Sequence, residues 1–155
     1  MAREMSNSGS TIVKMGILLI VMIIIVFYVP RVFQTTPTVE VKECSLASDT
    51  IGINQQTTLT FTLQSNDVEN AHSVMVKFSS HEMVVFMLGS QSLPKQDGYW
   101  IYTETLNPSA SSTQPINVRA NLENGIAKLD YRIDVTFYVD GEQFGSKALD
   151  LTVKR

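Results

Sequence analysis

The chain has 155 residues, with 12 Lys or Arg against 15 Asp or Glu, two His and one Cys. One cysteine excludes an intramolecular disulfide, and two histidines without a Cys-x-x-Cys pair leave little for a zinc site. Residues 1–33 carry three basic residues and one acidic residue, whereas residues 34–155 carry nine basic and fourteen acidic residues. An acidic region without a run of Lys or Arg is poorly suited to nucleic acid, so we expect no nucleic-acid partner.

Residues 12–33 are predicted to form a single transmembrane helix. Within them, the fifteen-residue run MGILLIVMIIIVFYV carries no charge, and Lys14 and Arg31 bracket it. The sixteen residues between these two charges span about 24 Å as a helix. A bilayer core of about 30 Å is reached when both long side chains extend to the interface. Tyr28 lies near the outer end of the run, where aromatic rings favour the membrane interface.

Two other interpretations of this segment are weaker. A cleaved signal peptide needs small residues at an A-x-A-like site, and residues 28–33 read YVPRVF. A pilin-type leader would be cut just before the apolar run, which residues 14–16 (KMG) barely permit. However, Val21 stands where a bacterial pilin helix usually has glutamate. We therefore expect an uncleaved signal-anchor.

The charges beside the span set its predicted orientation in the cell membrane. Arg3, Lys14 and the amino terminus precede the uncharged run, and only Arg31 follows it directly. The positive-inside rule then places residues 1–11 in the cytoplasm as a short tail and residues 39–155 outside the membrane. Residues 34–38, QTTPT, are predicted to form a short polar stalk.

Alternation of apolar and polar side chains dominates residues 39–155. Four segments alternate strictly, which is typical of half-buried antiparallel strands, and three others are strand-like but less regular. Residues 83–88, MVVFML, are apolar on both faces and form either a buried strand or part of a contact surface. The regular segments are 58–64, 116–122, 131–140 and 149–154, and the less regular ones are 38–44, 73–79 and 99–105. We therefore predict an all-β, Ig-like antiparallel β-sandwich of seven or eight strands after the single helix.

A resemblance to a known family rests on three stretches of the sequence. Residues 49–63, DTIGINQQTTLTFTL, resemble the opening of a CARDB-type Ig-like module, in which a polar turn precedes an alternating strand that ends near an Asn, here Asn66. Residues 106–112, LNPSASS, resemble the L-x-P-G-x-S loop of that family, with Ser109 where Gly is usual, and residues 131–154 resemble its last hairpin. The resemblance implies an adhesion or scaffold domain of archaeal and bacterial cell surfaces. A narrower likeness is to the stator-type accessory proteins of the archaeal rotary filament.

A copper site is one alternative function. Blue-copper centres use two His, a Cys thiolate and a weak axial Met. One His comes early in the chain, and the Cys, the other His and the Met are clustered around the last loop. Here Cys44 precedes both His72 and His81, and residues 139–155 contain no Cys, His or Met. The remaining form of the hypothesis is weak Cu(I) binding by His81 and Met83, two positions apart on one strand face. Cys44 is instead expected to be a small buried apolar residue, with an intermolecular disulfide as the less favoured alternative.

Calcium binding is a second metal alternative. Residues 67–70, DVEN, place oxygen ligands close together, and Asp140 or Glu142 would complete them. Their spacing resembles no calcium-binding loop. We therefore predict no metal and no cofactor, with copper or calcium binding kept as an alternative function.

No catalytic motif is present in the sequence. There is no G-x-S-x-G, no G-x-x-x-x-G-K and no H-E-x-x-H, of which residues 81–83 give only half. The carboxylates are spread singly, as on a solvated surface. We therefore predict that the protein is not an enzyme.

The best candidate for function is the segment of residues 81–102, which holds the only Trp of the chain. Enrichment in aromatic residues and Met is typical of the core of a protein interface. The candidate interaction residues are Met83, Phe86, Met87, Tyr99, Trp100 and Tyr102. The alternative is that Trp100 is simply the buried core aromatic of the sandwich. We expect this edge strand and loop to contact another cell-envelope protein.

The sequence therefore predicts a non-catalytic, membrane-tethered, extracytoplasmic interaction or scaffold module of the cell envelope. Its expected partners are the membrane, through a single span, and another cell-envelope or membrane-complex protein. The alternative is an accessory subunit of a larger membrane complex, in which the helix packs against other spans and the sandwich caps them. Gly16 is the only small residue in the span, so small-xxx-small helix packing is not encoded and the tether is slightly favoured.

Overall fold

The structure, a computed structural model, describes residues 37–122 and 125–155. In these two ranges the chain forms eleven β-strands and no helix. The strands are β1 (Val39–Leu46), β2 (Thr50–Gly52), β3 (Gln56–Ser65), β4 (His72–Ser79), β5 (Val84–Leu88), β6 (Gln91–Ser92), β7 (Lys95–Gln96), β8 (Tyr99–Leu106), β9 (Ser111–Ala120), β10 (Lys128–Val139) and β11 (Glu142–Lys154).

The predicted transmembrane segment at 12–33, with its flanking Lys14, Tyr28 and Arg31, lies outside the described residues, as do the predicted tail and most of the predicted stalk. Across residues 37–122 and 125–155, the structure contains no helix with the length and apolar character that crossing a membrane requires. The first strand begins at Val39, directly after the predicted stalk.

Two sheets form the domain. The order of strands is β1-β3-β9-β5-β6 in sheet A and β2-β11-β10-β4-β8-β7 in sheet B. Every pair is antiparallel except one, because Thr50–Gly52 of β2 runs parallel to residues 152–154 at the end of β11. The prediction of an all-β structure is confirmed, and its two sheets pack their apolar faces together as in a sandwich. The prediction that all strands are antiparallel is wrong for β2. Between β1 and β2 the chain crosses from sheet A to sheet B, where β2 pairs in parallel with β11.

The eight segments predicted from the sequence correspond to the eight strands of five residues or more. Three further strands have only two or three residues and lie at the outer edges of the two sheets. Alternation needs four or more residues to be visible in a sequence, so these short strands carry no such signal. They raise the number of strands in the described part to eleven.

Phe61 joins the two sheets at the centre of the core. Alternate residues of β3 are buried, and Phe61 among them is fully inaccessible to solvent. Its ring centroid lies 6.2 Å from that of Phe78, 6.0 Å from that of Phe137 and 5.7 Å from that of Tyr102, all three on sheet B. Tilted and edge-to-face contacts of this kind each stabilise a core by about 0.5–1.5 kcal/mol beyond the apolar area that they bury.

We expect Phe61→Ala to lower the free energy of unfolding by about 3–5 kcal/mol, because it removes a buried ring and leaves a cavity between the sheets. Thr60→Ala, on the outward side of the same strand, should cost less than about 1 kcal/mol. Urea unfolding monitored by the fluorescence of the single Trp measures both values. Similar losses for the two variants would contradict the role of Phe61.

Candidate functional site

The structure divides the six predicted interaction residues between the two sheets. β5 belongs to sheet A and β8 to sheet B, and the chain crosses from one to the other through residues 89–98. Phe86, Met87 and Tyr102 are buried, Met83 and Trp100 are half-buried against the core, and Tyr99 is 42% exposed. The six residues therefore do not share one face, and Tyr99 is the most exposed of them.

Trp100 is held between the core and the surface. Its ring centroid lies 6.3 Å from that of Phe86 across the sandwich, and the Nζ of Lys95 lies 5.3 Å from it on the outer side. The side chain is half-buried. The ring therefore packs on the core, and a role of Trp100 in an interface stays a prediction.

Tyr99 belongs to a cluster on the outer surface of sheet B, which we call the open face. Its other members are Met75 and Lys77 on β4, Ile101 on β8 and Tyr138 on β10. Lys77 stands opposite Ile101 in β8, and Met75 stands opposite Tyr138 in β10. Met75 and Lys77 alternate with buried residues of β4, Tyr138 and Ile101 stand opposite them, and Tyr99 lies two positions before Ile101. All five side chains therefore point away from the core.

Lys77 lies between two tyrosine rings of the open face. Its Nζ is 4.9 Å from the ring centroid of Tyr138 and 5.6 Å from that of Tyr99. Among the described residues Lys77 makes no ion pair. An ammonium over aromatic rings is attracted to their electron-rich faces, which holds the three side chains together without neutralising the charge.

The outer surface of sheet A has a different character. Across β3 and β9 it presents Thr58, Thr60 and Thr62 with Thr113 and Asn117, and the hydroxyls of Thr62 and Thr113 are hydrogen-bonded at 3.0 Å. The two outer surfaces therefore differ at these positions: β3 and β9 form a threonine surface, whereas the open face carries aromatic and apolar side chains around a cation. Tyr99 is exposed, and the other four residues of the open face are half-buried. A surface cluster of apolar side chains marks an interaction site more often than a polar sheet face does.

Sequence reasoning missed four of the five residues of the open face. The signal that could have found them is the alternation of inward and outward positions along each strand. Tyr138 occupies a polar position of the alternating segment 131–140, and Met75 and Ile101 lie at positions whose neighbours on both sides turn inward. An apolar residue at an outward position of an otherwise alternating strand indicates an exposed apolar side chain.

A second cluster joins Asp67, His72 and Asp140 at one end of the sandwich. The Nδ1 of His72 lies 2.6 Å from Asp140, and its Nε2 lies 3.1 Å from Asp67. The doubly protonated imidazolium donates to both carboxylates. Since β4 begins at His72 and Asp140 lies in the turn between β10 and β11, the cluster ties the loop before β4 to that hairpin.

Each member of the cluster has a shifted pKa. The hydrogen bond to Asp140, with a smaller contribution from Asp67, raises the pKa of His72 above its usual 6.5. The backbone N–H groups of Glu69 and Asn70 hold the pKa of Asp67 well below its usual range, and the hydrogen bond from His72 lowers the pKa of Asp140. The charged forms of all three groups therefore stabilise one another.

The structure also places the residues of the two metal hypotheses. Asp67 and Asp140 do come together, as the calcium hypothesis required, but the imidazole of His72 lies between them. The Nδ1 of His81 accepts a hydrogen bond from the backbone N–H of Met83 at 3.3 Å. Within residues 37–122 and 125–155, no three His, Cys, Asp or Glu side chains are grouped so that they could hold a metal ion.

Comparisons with known proteins give no family for this chain. No protein-family model matches it, and no curated protein matches it. Among solved structures, it is similar to the alkylpurine DNA glycosylase AlkC of Pseudomonas fluorescens bound to DNA containing an abasic site analog, with 15% identity and a TM-score of 0.46 over 76% of this chain and 31% of that one. It is also similar to the sporulation control protein Spo0M of Bacillus subtilis, with 11% identity and a TM-score of 0.47 over 77% of this chain and 51% of that one. The chain thus spans about a third and about half of these two proteins, and likenesses at this level carry no argument about its function.

We expect the His72 cluster to make stability depend on pH in two directions. Because the pKa of His72 is raised on folding, its contribution is fully present below 6.5 and is lost as the pH rises through the folded value. Because the pKa values of Asp67 and Asp140 are lowered, their contribution is present above 3.8 and is lost as the pH falls through the folded values. The cluster should therefore stabilise most between about pH 4 and pH 6.5.

Urea unfolding of the wild type and of His72→Gln, measured within this pH range and above it, tests the expectation. The variant should lose the decline in stability above pH 6.5, since the neutral amide does not titrate. Parallel pH profiles for the two proteins would show that His72 is not the titrating group.

Proposed function

We propose that this protein is a non-catalytic, membrane-tethered interaction or scaffold module of the cell envelope. In this proposal residues 12–33 cross the cell membrane once, the amino terminus is cytoplasmic, and the domain that begins at Val39 lies outside. The membrane part of the proposal is supported by the uncharged run between Lys14 and Arg31. The interaction part is supported by the open face of sheet B.

The open face is the single observation that carries the interaction function. Aromatic residues and Met are enriched at the centres of protein interfaces, and Tyr99, Tyr138 and Met75 are of these types. Tyr99 is 42% exposed at the start of β8, where it pairs with Gln96 of the two-residue strand β7. Lys77 adds a positive charge that a partner would neutralise, which favours one orientation of the partner over others.

The domain is further proposed to be Ig-like, of the CARDB type. Two turns support this. Before β3, the backbone N–H of Gly52 donates to the side chain of Gln55 at 2.9 Å and Asn54 has a φ of 60°, which gives the polar turn that the family places before this strand. Ser109, where that family usually has Gly, has a φ of 55°. Glycine adopts this left-handed conformation without steric cost, so the backbone here is of the kind that the family's glycine serves.

We expect Tyr99→Ala and Lys77→Met each to reduce capture of the partner from gently solubilised membranes. A residue at the centre of an interface costs about 2 kcal/mol or more when truncated, which is roughly a thirtyfold loss of affinity. Lys77→Met keeps the apolar stem and removes only the charge. Thr60→Ala, on the outer surface of sheet A, is the matched control and should leave capture unchanged.

The co-purified proteins are identified and quantified by mass spectrometry of the tagged full-length chain. A partner recovered in a fixed ratio would support the accessory-subunit form of the function, and a partner recovered in a variable ratio would support the tether. Equal capture by the wild type and the three variants would contradict the assignment of the open face as the interaction surface.

Trp100→Ala separates the packing role of this residue from a role in binding. We expect it to lower the free energy of unfolding by about 2–4 kcal/mol, since its ring packs on Phe86. Capture of the partner per folded molecule should stay close to that of the wild type. If stability is instead unchanged and capture is lost, Trp100 is an interface residue and not part of the core.

A further inference from the structure

Two Asp-Gly pairs form the turns of two β-hairpins. Asp97 and Gly98 are the residues between β7 and β8, and Asp140 and Gly141 are the residues between β10 and β11. All four have positive φ, at 52° and 85° in the first turn and at 50° and 89° in the second. This is the backbone of a type I′ turn, for which Asp-Gly is a preferred sequence. The two turns are therefore matched in sequence and in backbone conformation.

An Asp-Gly pair also has a reaction of its own. The backbone nitrogen of the glycine can attack the Cγ atom of the aspartate side chain and close a five-membered succinimide ring. Glycine is the most favourable residue at the second position, because it has no Cβ atom to hinder the approach. The nitrogen and Cγ must come into contact in the right orientation, so the carboxyl group and the turn must both be free to move. Local freedom therefore decides how fast each pair reacts.

The carboxylate of Asp97 is unrestrained. The residue is exposed, and within residues 37–122 and 125–155 its side chain makes no hydrogen bond and no ion pair. The backbone N–H of Gly98, which carries the attacking nitrogen, makes no hydrogen bond in this part of the chain either. Both reacting groups of this turn are therefore free of other partners.

The hairpin that carries Asp97 is short. β7 is the outermost strand of sheet B, and it pairs with β8 only through Lys95 opposite Trp100 and Gln96 opposite Tyr99. A two-residue strand at the edge of a sheet opens locally at a small cost, because few contacts are lost. The turn can therefore leave its I′ conformation while the core of the domain stays folded.

The carboxylate of Asp140, in contrast, is held on both oxygens. Its Oδ2 lies 2.6 Å from the Nδ1 of His72, and its Oδ1 accepts a hydrogen bond from the backbone N–H of Ser73 at 3.0 Å. The hydrogen bond from His72 also lowers the pKa of Asp140, which favours the ionised carboxylate, the poorer electrophile. The strands on either side, β10 and β11, have 12 and 13 residues. Neither the side chain nor the turn is therefore free to move.

We propose that Asp97 is a site of spontaneous isomerisation to isoaspartate, and that His72 and Ser73 protect Asp140 from the same reaction. First, the nitrogen of Gly98 bonds to Cγ of Asp97, and the carboxyl OH leaves as water with the amide proton. A water molecule then adds to the main-chain carbonyl carbon of the ring and breaks its bond to nitrogen. The chain afterwards runs through Cβ and Cγ of residue 97. One water is released and one is consumed, so the mass is unchanged and no oxidant is needed.

The modification acts at the edge of the open face. Isoaspartate adds one carbon atom to the main chain inside a two-residue turn, whose geometry must match the twist of the strands that it joins. The pair of Gln96 and Tyr99 next to the turn is then lost. Tyr99 is the exposed member of the open face, so the reaction changes how this ring is presented. The reaction itself does not depend on the proposed function.

The two turns are compared in one sample of the full-length chain, incubated for several weeks in mildly acidic buffer. Electron-transfer fragmentation of its proteolytic peptides distinguishes isoaspartate from aspartate by mass spectrometry. Synthetic peptides of residues 93–103 and 136–146 give the rate of each pair outside the fold. We expect Asp140 to isomerise at least about tenfold more slowly than Asp97, because a hydrogen bond between charged groups must break first. Equal rates at the two sites, or an unmodified Asp97 while its peptide reacts, would overturn the proposal.

Two variants connect the rates to these contacts. His72→Gln should raise the rate at Asp140 several-fold and leave the rate at Asp97 unchanged, because it removes the charged donor from one turn only. A general loosening of the domain would raise both rates together, and that result would contradict the protective role of His72. Asp97→Glu should abolish the isoaspartate signal of its peptide, since glutamate would have to close a six-membered ring. A signal that persists in Asp97→Glu would overturn the assignment of the site.

Discussion

The contacts of Phe61 with three rings of the opposite sheet are the interaction on which the remaining structure depends. They fix the separation and the alignment of the two sheets at the centre of the core. With that alignment set, the parity of every strand decides which side chains are buried and which reach solvent. The open face of sheet B and the threonine surface of sheet A both result from this alternation. A shift of β4 by one residue would bury Lys77 and expose Phe78.

Alternation along the chain was sufficient to locate the eight longer strands, since each has enough residues to show period two. It did not reveal β2, which has three residues and pairs in parallel with a strand about a hundred positions away. Residue type alone favours buried residues such as Phe86 as interface candidates and passes over outward-facing ones such as Tyr138. Sequence reasoning did not bring Asp67, His72 and Asp140 together as one cluster, because Asp140 lies beside His72 only once β4 has paired with β10.

Two parts of the domain carry distinct physical properties. The open face offers apolar side chains around one charge, and the His72 cluster offers an imidazole whose pKa is raised by its hydrogen bonds to two carboxylates. Both use residues on or beside β4 and β10, but no residue belongs to both. A small sandwich can carry distinct clusters in this way because each uses a different surface of the same rigid core.

The register shift in β1 affects how another copy of the chain could meet this edge of sheet A. A regular outermost strand presents a row of free N–H and C=O groups, on which the same strand of a neighbouring molecule can add and begin a polymer. In β1 the register shift at Lys42 and the charges of Lys42 and Glu43 interrupt that row. The irregularity of β1 therefore makes this edge a poor template for another copy of the chain. Such protection matters most where many copies are crowded together and held in the same orientation.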